Sequence, residues 1–361
     1  MTDESYIQLA IEIAKKGKGN VSPNPLVGCI IIKNERIIGA GYHEKYGSNH
    51  AEVNAINSAR ESIEGSTLYT NLEPCSHHGL TPPCVDKIIE NKIKRVVIGT
   101  MDMNPLVRGK GIRKLKSAGI DVKVGVLEKE CIALNKFFFK YITKKIPYVT
   151  LKAAQTLDGK IADIKGGSKW ITSLPSRRFV HELRSKYDAV LVGLGTVLKD
   201  NPSLTVRLIE GRNPKRVVLD TKLRLSSGHK LFSNNSDKKL IIITSKKNID
   251  RVNKIKKIRS KGADIIFTGE HKGKINLKSA LKELGKRKIS SVLVEGGNEI
   301  FNSFIKENLF DDVFVFISPK IVGCGIPIVG NLGIKNINKS LKTKFGSIEK
   351  IGDDILAELV K

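Results

Sequence analysis

The first part of this chain carries the motif His50-Ala51-Glu52, followed by Pro74-Cys75 and by Cys84. It offers one nitrogen and two sulfur ligands, a set that can hold a catalytic Zn²⁺ and leave its fourth position open for water. Bound zinc lowers the pKa of that water to ~7, and Glu52 is a carboxylate that can carry the proton. Nucleobase deaminases use the same residue types. The pattern therefore predicts zinc-dependent removal of an amino group from a heterocyclic ring.

The same residues fit a second interpretation, which is a closed structural zinc site with a fourth ligand. His43, His77 and His78 are the candidates for that ligand. A structural site does not explain a carboxylate two positions after His50, so the catalytic interpretation is favoured. An apolar-periodic helix is expected directly after His50. Because prolines precede both cysteines, each cysteine is also expected where a loop meets a helix.

Length and composition bound the class of protein. A chain of 361 residues with 40% hydrophobic and 27% charged residues is typical of a globular protein with two domains. The acidic N-terminal residues do not fit a secretory signal or a transit peptide, and no apolar run approaches the length of a membrane span. Cys29, Cys131 and Cys324 are expected to be free core thiols, which predicts a cytoplasmic location.

The formal net charge of +27 raises the hypothesis of a nucleic-acid partner. Residues 1–146 hold 22 basic and 15 acidic residues, or +7, and residues 147–361 hold 41 and 21, or +20. Most of the excess is lysine scattered along the second part, without an arginine-rich tail. A solvated lysine-rich surface is the favoured interpretation, and its positive field would still attract phosphorylated substrates.

Alternating strand and helix patterns predict an α/β fold in two domains, residues 1–145 and 146–361, joined near Pro147. In the first domain, helices and strands follow a three-layer α/β pattern. In the second, a run of apolar strands separated by helices predicts a largely parallel sheet. Its predicted strands are 148–153, 189–192, 216–219, 240–244, 265–268, 291–294 and 313–317, with a helix at 176–187.

Two glycine-bearing strand ends stand out in the second domain, Gly193-Leu194-Gly195 and Glu295-Gly296-Gly297. Glycines after a strand let backbone amides approach a phosphate, and open α/β sheets bind ligands at these ends. Neither segment is a complete dinucleotide fingerprint, and tight turns alone would explain either one. Glu295 is either a carboxylate at the mouth of the crevice or a charge favoured at a helix N-terminus.

Arg184, Asp200 and Arg207 bracket the first glycine segment, and Ser168-Lys169-Trp170 lies on a glycine-rich loop. Each charge taken singly is more often a surface residue. Together with the glycine turns they indicate an anion-binding pocket covered by a flexible loop.

These motifs resemble those of the bifunctional deaminase/reductases of bacterial riboflavin biosynthesis, over nearly the whole chain. The deaminase part of the resemblance rests on residues 22–28, 50–52, 73–79 and 81–84. The reductase part rests on residues 151–152, 157–160, 168–173, 195–197, 200–202, 204–207 and 295–297. The eight residues between Cys75 and Cys84 also resemble this family, because deaminases of nucleic acids and free nucleosides usually have two.

The resemblance implies a cytidine-deaminase-like three-layer domain followed by a dihydrofolate-reductase-like α/β domain. The first would hydrolyse the 2-amino group of 2,5-diamino-6-(5-phosphoribosylamino)pyrimidin-4-one. The second would use NADPH to reduce the ribosyl group of the deaminated product to ribityl. We expect Zn²⁺ and NADPH as cofactors, a phosphorylated pyrimidine as substrate, neither nucleic acid nor membrane as partner, and a homo-oligomer.

The resemblance also assigns site residues by position. In the deaminase, zinc would be held by His50, Cys75 and Cys84, the proton would be moved by Glu52, and the pyrimidine would contact Asn24. NADPH would be bound by Ala154, Trp170, Thr196, Asp200, Gly297, Asn298, Glu299, Ile300, Phe301, Asn302 and Ser303. The reductase substrate would be bound by Lys152, Ser168, Arg184, Leu204, Arg207 and Glu295.

Two segments depart from the family pattern. Met101-Asp102-Met103-Asn104-Pro105 replaces a common Asp-Pro-Asn-Pro form, and Gln155-Thr156 stands where a small residue and serine are usual. Both departures put loop detail in doubt. Two rival hypotheses are a tRNA or nucleic-acid base deaminase, which leaves the glycine segments unexplained, and a non-catalytic zinc-stabilised module that senses a nucleotide.

Overall fold

The computed structural model describes residues 1–361, and the chain divides into two units, Met1–Lys145 and Ile146–Lys361. Each unit has its own hydrophobic core residues, which form two clusters in the first unit and a large cluster in the second. None of the helices combines the length and the apolar character that crossing a membrane requires.

A five-stranded sheet forms the centre of the first unit, in the order β2-β1-β3-β4-β5. Its strands are β1 (Gly28–Lys33), β2 (Arg36–Tyr42), β3 (Thr67–Leu72), β4 (Arg95–Thr100) and β5 (Asp121–Val124). Strand β1 is antiparallel to both neighbours, and β3, β4 and β5 are parallel. The helices are α1 (Asp3–Ala14), α2 (Ala51–Asn57), α3 (Cys84–Glu90), α4 (Lys110–Ser117), α5 (Glu128–Leu134) and α6 (Lys136–Lys144).

Alternate residues of these strands enter two separate cores. Ile30 and Tyr69 pack with residues of α1 and α5. Ile31 and Leu68 pack with residues of α2, α3, α4 and α6 on the opposite face. Because strand side chains alternate between faces, the sheet is covered on both sides, and the predicted three-layer α/β architecture is confirmed.

A nine-stranded sheet forms the centre of the second unit, in the order β11-β10-β9-β8-β14-β6-β15-β18-β17. The strands are β6 (Tyr148–Thr156), β7 (Lys160–Asp163), β8 (Ala189–Gly193), β9 (Lys215–Leu219), β10 (Leu240–Ser245), β11 (Asp264–Thr268), β12 (Glu270–His271), β13 (Lys274–Ile275), β14 (Ser291–Val294), β15 (Asp312–Ser318), β16 (Gly325–Pro327), β17 (Lys344–Ile351) and β18 (Asp354–Val360). The helices are α7 (Leu174–Lys186), α8 (Leu194–Asp200), α9 (Lys230–Ser233), α10 (Val252–Ser260), α11 (Leu277–Lys286) and α12 (Asn298–Lys306).

The order of these strands brings distant residues of the sequence together. Strand β14 lies between β8 and β6 and is parallel to both, with Val294 opposite Leu191 and Leu151. The strands β8 and β14 therefore end at the same edge of the sheet. The segments that begin at Gly193 and Glu295 meet there, which is where ligands bind in open α/β sheets.

Parts of the expected secondary structure were wrong or missing. The seven predicted strands of the second domain are present, but the antiparallel hairpin β17–β18 was not predicted, because most of β17 is exposed and lacks a strong apolar alternation. Cys84 is the first residue of α3 as expected, whereas Cys75 lies in a loop. Cys29 and Cys131 are buried thiols, but Cys324 is exposed, which corrects its assignment to the core.

Candidate active sites

The first site brings together His50, Cys75 and Cys84, whose ligand atoms all lie within 4.8 Å of one another. His50 Nδ1 is 3.2 Å from Cys84 Sγ and 3.5 Å from Cys75 Sγ. With Zn–N and Zn–S bonds of ~2.0 and ~2.3 Å, tetrahedral geometry separates nitrogen and sulfur by roughly 3.5 Å. The three side chains therefore fit a tetrahedral zinc ion with one position left over.

The two thiols of this cluster differ in charge. The hydrogen bond from Cys84 lowers the pKa of Cys75 to about 4. Burial opposes this effect, and the hydrogen bond to His50 adds to it. The bond to Cys75, burial and the nearby Glu52 raise the pKa of Cys84 well above its ordinary value. The pair thus holds a thiolate and a thiol around one proton. A divalent cation favours such a donor set because it replaces the shared proton.

Glu52 lies in the first turn of α2 and is 3% exposed. Burial raises the pKa of its carboxyl, although the neighbouring His50 opposes this effect. Its Oε2 has no hydrogen-bond partner. A buried polar atom without a partner is uncommon in a folded protein, and this one lies beside the candidate ligands. It is therefore available to a reacting molecule.

Three polar contacts, made by Thr81 and His43, orient the walls of this site, and none of them was predicted from the sequence. Thr81 Oγ1 lies 3.4 Å from His50 Nε2, the ring nitrogen that faces away from the cysteines. His43 contacts the Asn49 carbonyl oxygen through Nδ1 at 3.0 Å and the Asn24 amide nitrogen through Nε2 at 3.2 Å. When His43 donates from Nδ1, its Nε2 accepts from Asn24, and the amide of Asn24 is held in one orientation.

A buried carboxylate shapes the opposite wall. Glu73 is 3% exposed and accepts hydrogen bonds from the backbone nitrogens of Asp102, Gly109, Gly111 and Ile112 at 2.9 to 3.3 Å. These bonds fix the loop that carries Asp102, whose pKa is raised to about 7 by burial. Glu73 and Asp102 lie in segments that were compared with the family in the sequence, but neither residue was predicted to have a role in the site.

These residues enclose a cavity of about 250 Å³. Its lining includes Asn24, His43, His50, Glu52, Cys75 and Asp102. The cavity is of the size that a single heterocyclic ring with its substituents requires, and all of its polar groups lie on the first unit.

The second site is a crevice of about 1460 Å³ at the edge where β8 and β14 end. The four glycines there have different roles. A side chain at Gly193 or Gly296 would collide with Ile300, because an added Cβ would lie 2.7 or 2.6 Å from its carbon atoms. At Gly195 and Gly297 an added Cβ would meet nothing within 4 Å. Two glycines thus allow α12 to pack closely, and the other two face open space in the crevice.

A cluster of buried charges lies at the base of this crevice. Arg184 donates from Nε and Nη2 to the two oxygens of Glu295 at 2.6 and 2.9 Å, and from Nη1 to the Thr205 carbonyl oxygen at 3.2 Å. Lys152 Nζ lies 3.7 Å from Glu295. Burial alone would raise the pKa of Glu295, but Arg184 and then Lys152 outweigh it and lower the pKa to about 2. Arg184 therefore uses its Nε and Nη2 donors to bind Glu295.

Arg207 is the freer guanidinium of the cluster. Its Nη1 donates to Thr205 Oγ1 at 3.0 Å, and its side chain makes no ion pair. Its backbone nitrogen donates to Nδ1 of His181 at 2.9 Å. His181 was missed in the sequence analysis. It lies three residues before Arg184 on α7, and this helical spacing is the signal that could have identified it.

The remaining predicted residues fall into two groups. Lining the crevice are Ala154, Ser168, Trp170, Thr196, Asp200, Gly297, Asn298, Glu299, Ile300 and Ser303. Three others do not line it. Phe301 packs in the hydrophobic core, Asn302 bonds to Asn298 and to the Gly330 backbone nitrogen, and Leu204 is buried at 3% exposure.

Trp170 is held from two sides although 61% of it is exposed. The Arg177 guanidinium lies 4.2 Å from the centre of its ring, and Lys320 donates to its carbonyl oxygen at 2.6 Å. The indole is thus fixed at the rim of the crevice in a cation–π contact.

Comparison with known proteins identifies a family for each part of the chain. The family model "RibD C-terminal domain" matches residues 147–357, and "Cytidine and deoxycytidylate deaminase zinc-binding region" matches residues 1–100. The riboflavin biosynthesis protein RibD of Aquifex aeolicus is 48% identical over 98% of this chain and 97% of its own. The chain belongs to the RibD family.

Other RibD proteins and solved structures extend the match. The RibD of Escherichia coli is 36% identical over 100% of both chains. A crystal structure of a diaminohydroxyphosphoribosylaminopyrimidine deaminase/5-amino-6-(5-phosphoribosylamino)uracil reductase from Thermotoga maritima is 45% identical, with a TM-score of 0.88 over 99% of this chain and 98% of its own. Acinetobacter baumannii RibD gives a TM-score of 0.90 at 34% identity, over 99% and 98%.

Membership in the RibD family shows what the chain does. It is a bifunctional deaminase/reductase of riboflavin biosynthesis, with a zinc-binding deaminase domain and an NADPH-dependent reductase domain. The expected fold class, enzyme class and cofactors are confirmed. The roles of individual site residues are a separate question.

The geometry of the charged cluster predicts how Arg184 contributes to stability. In an Arg184→Ala chain, Glu295 would be a buried carboxylate with only Lys152 nearby. We expect the free energy of unfolding of the second unit to fall by about 3–5 kcal/mol, measured in urea by a probe specific to that unit. Adding Glu295→Gln should recover part of the loss, because the amide carries no charge.

Arg178→Ala is the matched control, because Arg178 is exposed on the same helix. It should change stability by less than ~0.5 kcal/mol. Folding lowers the pKa of Glu295 from 4.5 to about 2. Its contribution to stability is therefore present above pH 4.5 and is lost as the pH falls toward 2, and Arg184→Ala should reduce this acid-side loss. Equal stability of Arg184→Ala and the control would contradict the assignment.

Proposed function

We propose that His50, Cys75 and Cys84 hold the catalytic zinc of the deaminase and that Glu52 moves the proton. The observation that carries this proposal is the unpartnered buried Oε2 of Glu52 beside three ligand atoms within 4.8 Å of one another. Bound zinc supplies a water molecule that is ionised near neutral pH. Glu52 accepts a proton from the water that adds to the ring carbon, and returns it to the nitrogen that leaves as ammonia.

The substrate of this site is proposed to be 2,5-diamino-6-(5-phosphoribosylamino)pyrimidin-4-one. Asn24, held by His43, lies where it can bond to ring nitrogen or oxygen atoms. A cavity of about 250 Å³ accommodates the ring, with the phosphoribosyl group directed toward the opening. A closed structural zinc site does not explain why Glu52 is buried with an unpartnered oxygen beside the three ligand residues.

Glu52→Gln tests this assignment. The amide has nearly the same shape but cannot accept the proton, so we expect zinc content to stay at the wild-type level and ammonia release to fall at least ~100-fold. Zinc is measured by plasma mass spectrometry and ammonia by a coupled assay. Glu44→Gln, an exposed carboxylate of the same unit, is the control and should retain full activity. Turnover of Glu52→Gln at the wild-type rate would remove Glu52 from the mechanism.

For the reductase we propose that the crevice of the second unit holds NADPH beside the phosphoribosyl group of the deaminated pyrimidine. The cofactor side is formed by the open glycines Gly195 and Gly297 with Thr196, Asp200 and Trp170. NADPH supplies a hydride when it is bound. Lys152, whose Nζ lies 3.7 Å from Glu295, is the residue proposed to act near the sugar that opens to a ribityl chain.

Charge supports the position of the substrate phosphate. Lys152, Arg184 and Arg207 are cations and Glu295 is an anion, so this group carries a net charge of +2. A phosphate monoester dianion matches that charge. Arg207 is the residue proposed to contact it, because Arg184 is engaged by Glu295.

Arg207→Ala should raise the KM for the deaminated substrate tenfold or more, because hydrogen bonds to charged groups contribute ~1.5–3 kcal/mol. The kcat at saturating substrate should change much less. NADPH oxidation followed by absorbance measures both quantities. Arg259→Ala, an exposed arginine of α10, is the control. An unchanged KM would show that the phosphate binds elsewhere.

We propose a reducing, cytoplasmic location, since none of the five cysteines forms a disulfide. The absence of a nucleic-acid partner remains a prediction. The lysine excess belongs mostly to the second unit, where a positive field also favours a phosphorylated substrate.

A homo-oligomer is proposed from the edge of the nine-stranded sheet. Strand β17 is the last strand, so its outer edge has no neighbour. By the register of the hairpin, Phe345, Ile348 and Ile355 lie on one face, and they are 68%, 62% and 45% exposed. An unpaired edge with an exposed apolar face is typical of a surface that pairs with another chain.

Ile348→Glu should lower the molar mass measured by light scattering to that of one chain, because a carboxylate cannot be buried without a partner. Ile337→Glu alters an apolar residue that is 82% exposed outside the strands, and should leave the mass unchanged. If the wild type itself has the mass of one chain, or if Ile348→Glu keeps the wild-type mass, this surface is not the interface.

A further inference from the structure

His181 lies among the charged residues of the crevice, and neither the family resemblance nor the proposed mechanism gives it a role. It is on α7, is 5% exposed, and its ring forms part of the crevice wall with Arg184 and Arg207. A buried histidine in this position is either a packing residue or part of the binding site. Its hydrogen bonds separate these possibilities.

The backbone nitrogen of Arg207 donates to His181 Nδ1 at 2.9 Å. Since a backbone N–H can only donate, Nδ1 accepts and carries no proton, and the proton of the neutral ring is on Nε2. Nε2 has no hydrogen-bond partner within the chain. It is not one of the fully buried polar atoms that lack a partner, so it is accessible from the crevice. The ring therefore offers an unused N–H to the crevice.

The charges around His181 keep it neutral. Burial, and then Arg184 and Arg207, lower its pKa to about 4, against the opposing effect of Glu295, while Lys152 adds a further lowering. From pH 6 to 9 the ring thus adds a hydrogen-bond donor to the site and leaves the net charge at +2. An imidazolium would add a third unit of positive charge beside two guanidinium groups.

We propose that His181 is a substrate-binding residue of the reductase unit, with Nε2–H donating to an oxygen of the substrate phosphate and Nδ1 holding the main chain of Arg207. This inference rests on the proposed placement of the phosphate beside Arg207. It assigns the neutral donor of the subsite to His181, and the charged donor to Arg207. Arg184 contributes its positive charge to this subsite, while its Nε, Nη2 and Nη1 atoms donate to Glu295 and to the Thr205 carbonyl oxygen.

Two substitutions distinguish the role of Nδ1 as an acceptor from the role of Nε2 as a donor. In His181→Asn the side-chain oxygen can still accept from Arg207, but no donor reaches the position of Nε2. In His181→Gln the amide nitrogen reaches that position, but Arg207 loses its acceptor. His181→Ala removes both functions. His229→Asn, at a histidine that does not line the crevice and bonds to Ser226, is the matched control.

The probe is inorganic phosphate, used as a competitive inhibitor against the deaminated pyrimidine while NADPH oxidation is followed. For His181→Asn we expect the inhibition constant of phosphate and the KM to rise at least fivefold, with kcat within twofold of the wild type. His181→Gln should regain most of the phosphate affinity that His181→Asn loses. The ratio of the wild-type and His181→Asn inhibition constants should stay constant from pH 6 to 9, because the ring is neutral throughout.

Several results would overturn the proposal. If His181→Asn binds phosphate like the wild type while His181→Ala does not, His181 acts only through Arg207. If all three variants match the wild type while Arg207→Ala is impaired, His181 is a packing residue and the phosphate site stands. If Arg207→Ala also binds phosphate normally, the proposed substrate site itself is wrong. Thermal unfolding of each variant confirms that it is folded, and should His181→Ala fail to fold, the asparagine and glutamine variants decide the question.

Discussion

A carboxylate that is buried and still ionised has to be surrounded by donors, and the arrangement of the second unit follows from that requirement at Glu295. Its two oxygens accept from the fork of Arg184, and Lys152 adds a second positive charge. These residues come from α7, from β6 and from the end of β14. The ion pair therefore fixes a helix against two neighbouring strands at the edge where the crevice opens. Removing either partner leaves a buried charge, which costs far more than an exposed ion pair contributes.

The first unit meets the same requirement with backbone amides. Glu73 directly precedes Pro74-Cys75, and its carboxylate accepts four backbone N–H groups from residues 102–112. One end of the zinc-ligand loop is thereby attached to the loop that carries Asp102. In contrast, Glu52 is equally buried but has an unsatisfied oxygen. This difference is consistent with a structural role for Glu73 and with the chemical role proposed for Glu52.

The sequence predicted the fold class, the clustering of His50, Cys75 and Cys84, and the crevice, because each depends on residues with strong local patterns. His50, Cys75 and Cys84 follow a known ligand spacing, and strands of four to nine residues form the two main sheets. It could not predict which glycines allow close packing and which face open space, since Gly193 and Gly296 are required by Ile300, a residue distant from Gly193 in sequence. Nor could the sequence show that the Nε and Nη2 donors of Arg184 are already bonded to Glu295. Such facts depend on contacts between elements, and short patterns do not encode them.

His181 shows why the protonation state of a side chain cannot be predicted from residue type alone. With its ring neutral, three cations and one anion leave the base of the crevice at +2, which a phosphate dianion neutralises. The arginines that lower the pKa of His181 are the same groups that a phosphate would approach, so a bound dianion would raise that pKa again. The pKa starts at about 4, far enough below neutrality that the imidazole can remain a neutral donor during this change. Because burial keeps the ring neutral, His181 can donate a hydrogen bond without adding a positive charge. A further positive charge here would be repelled by the cations already present.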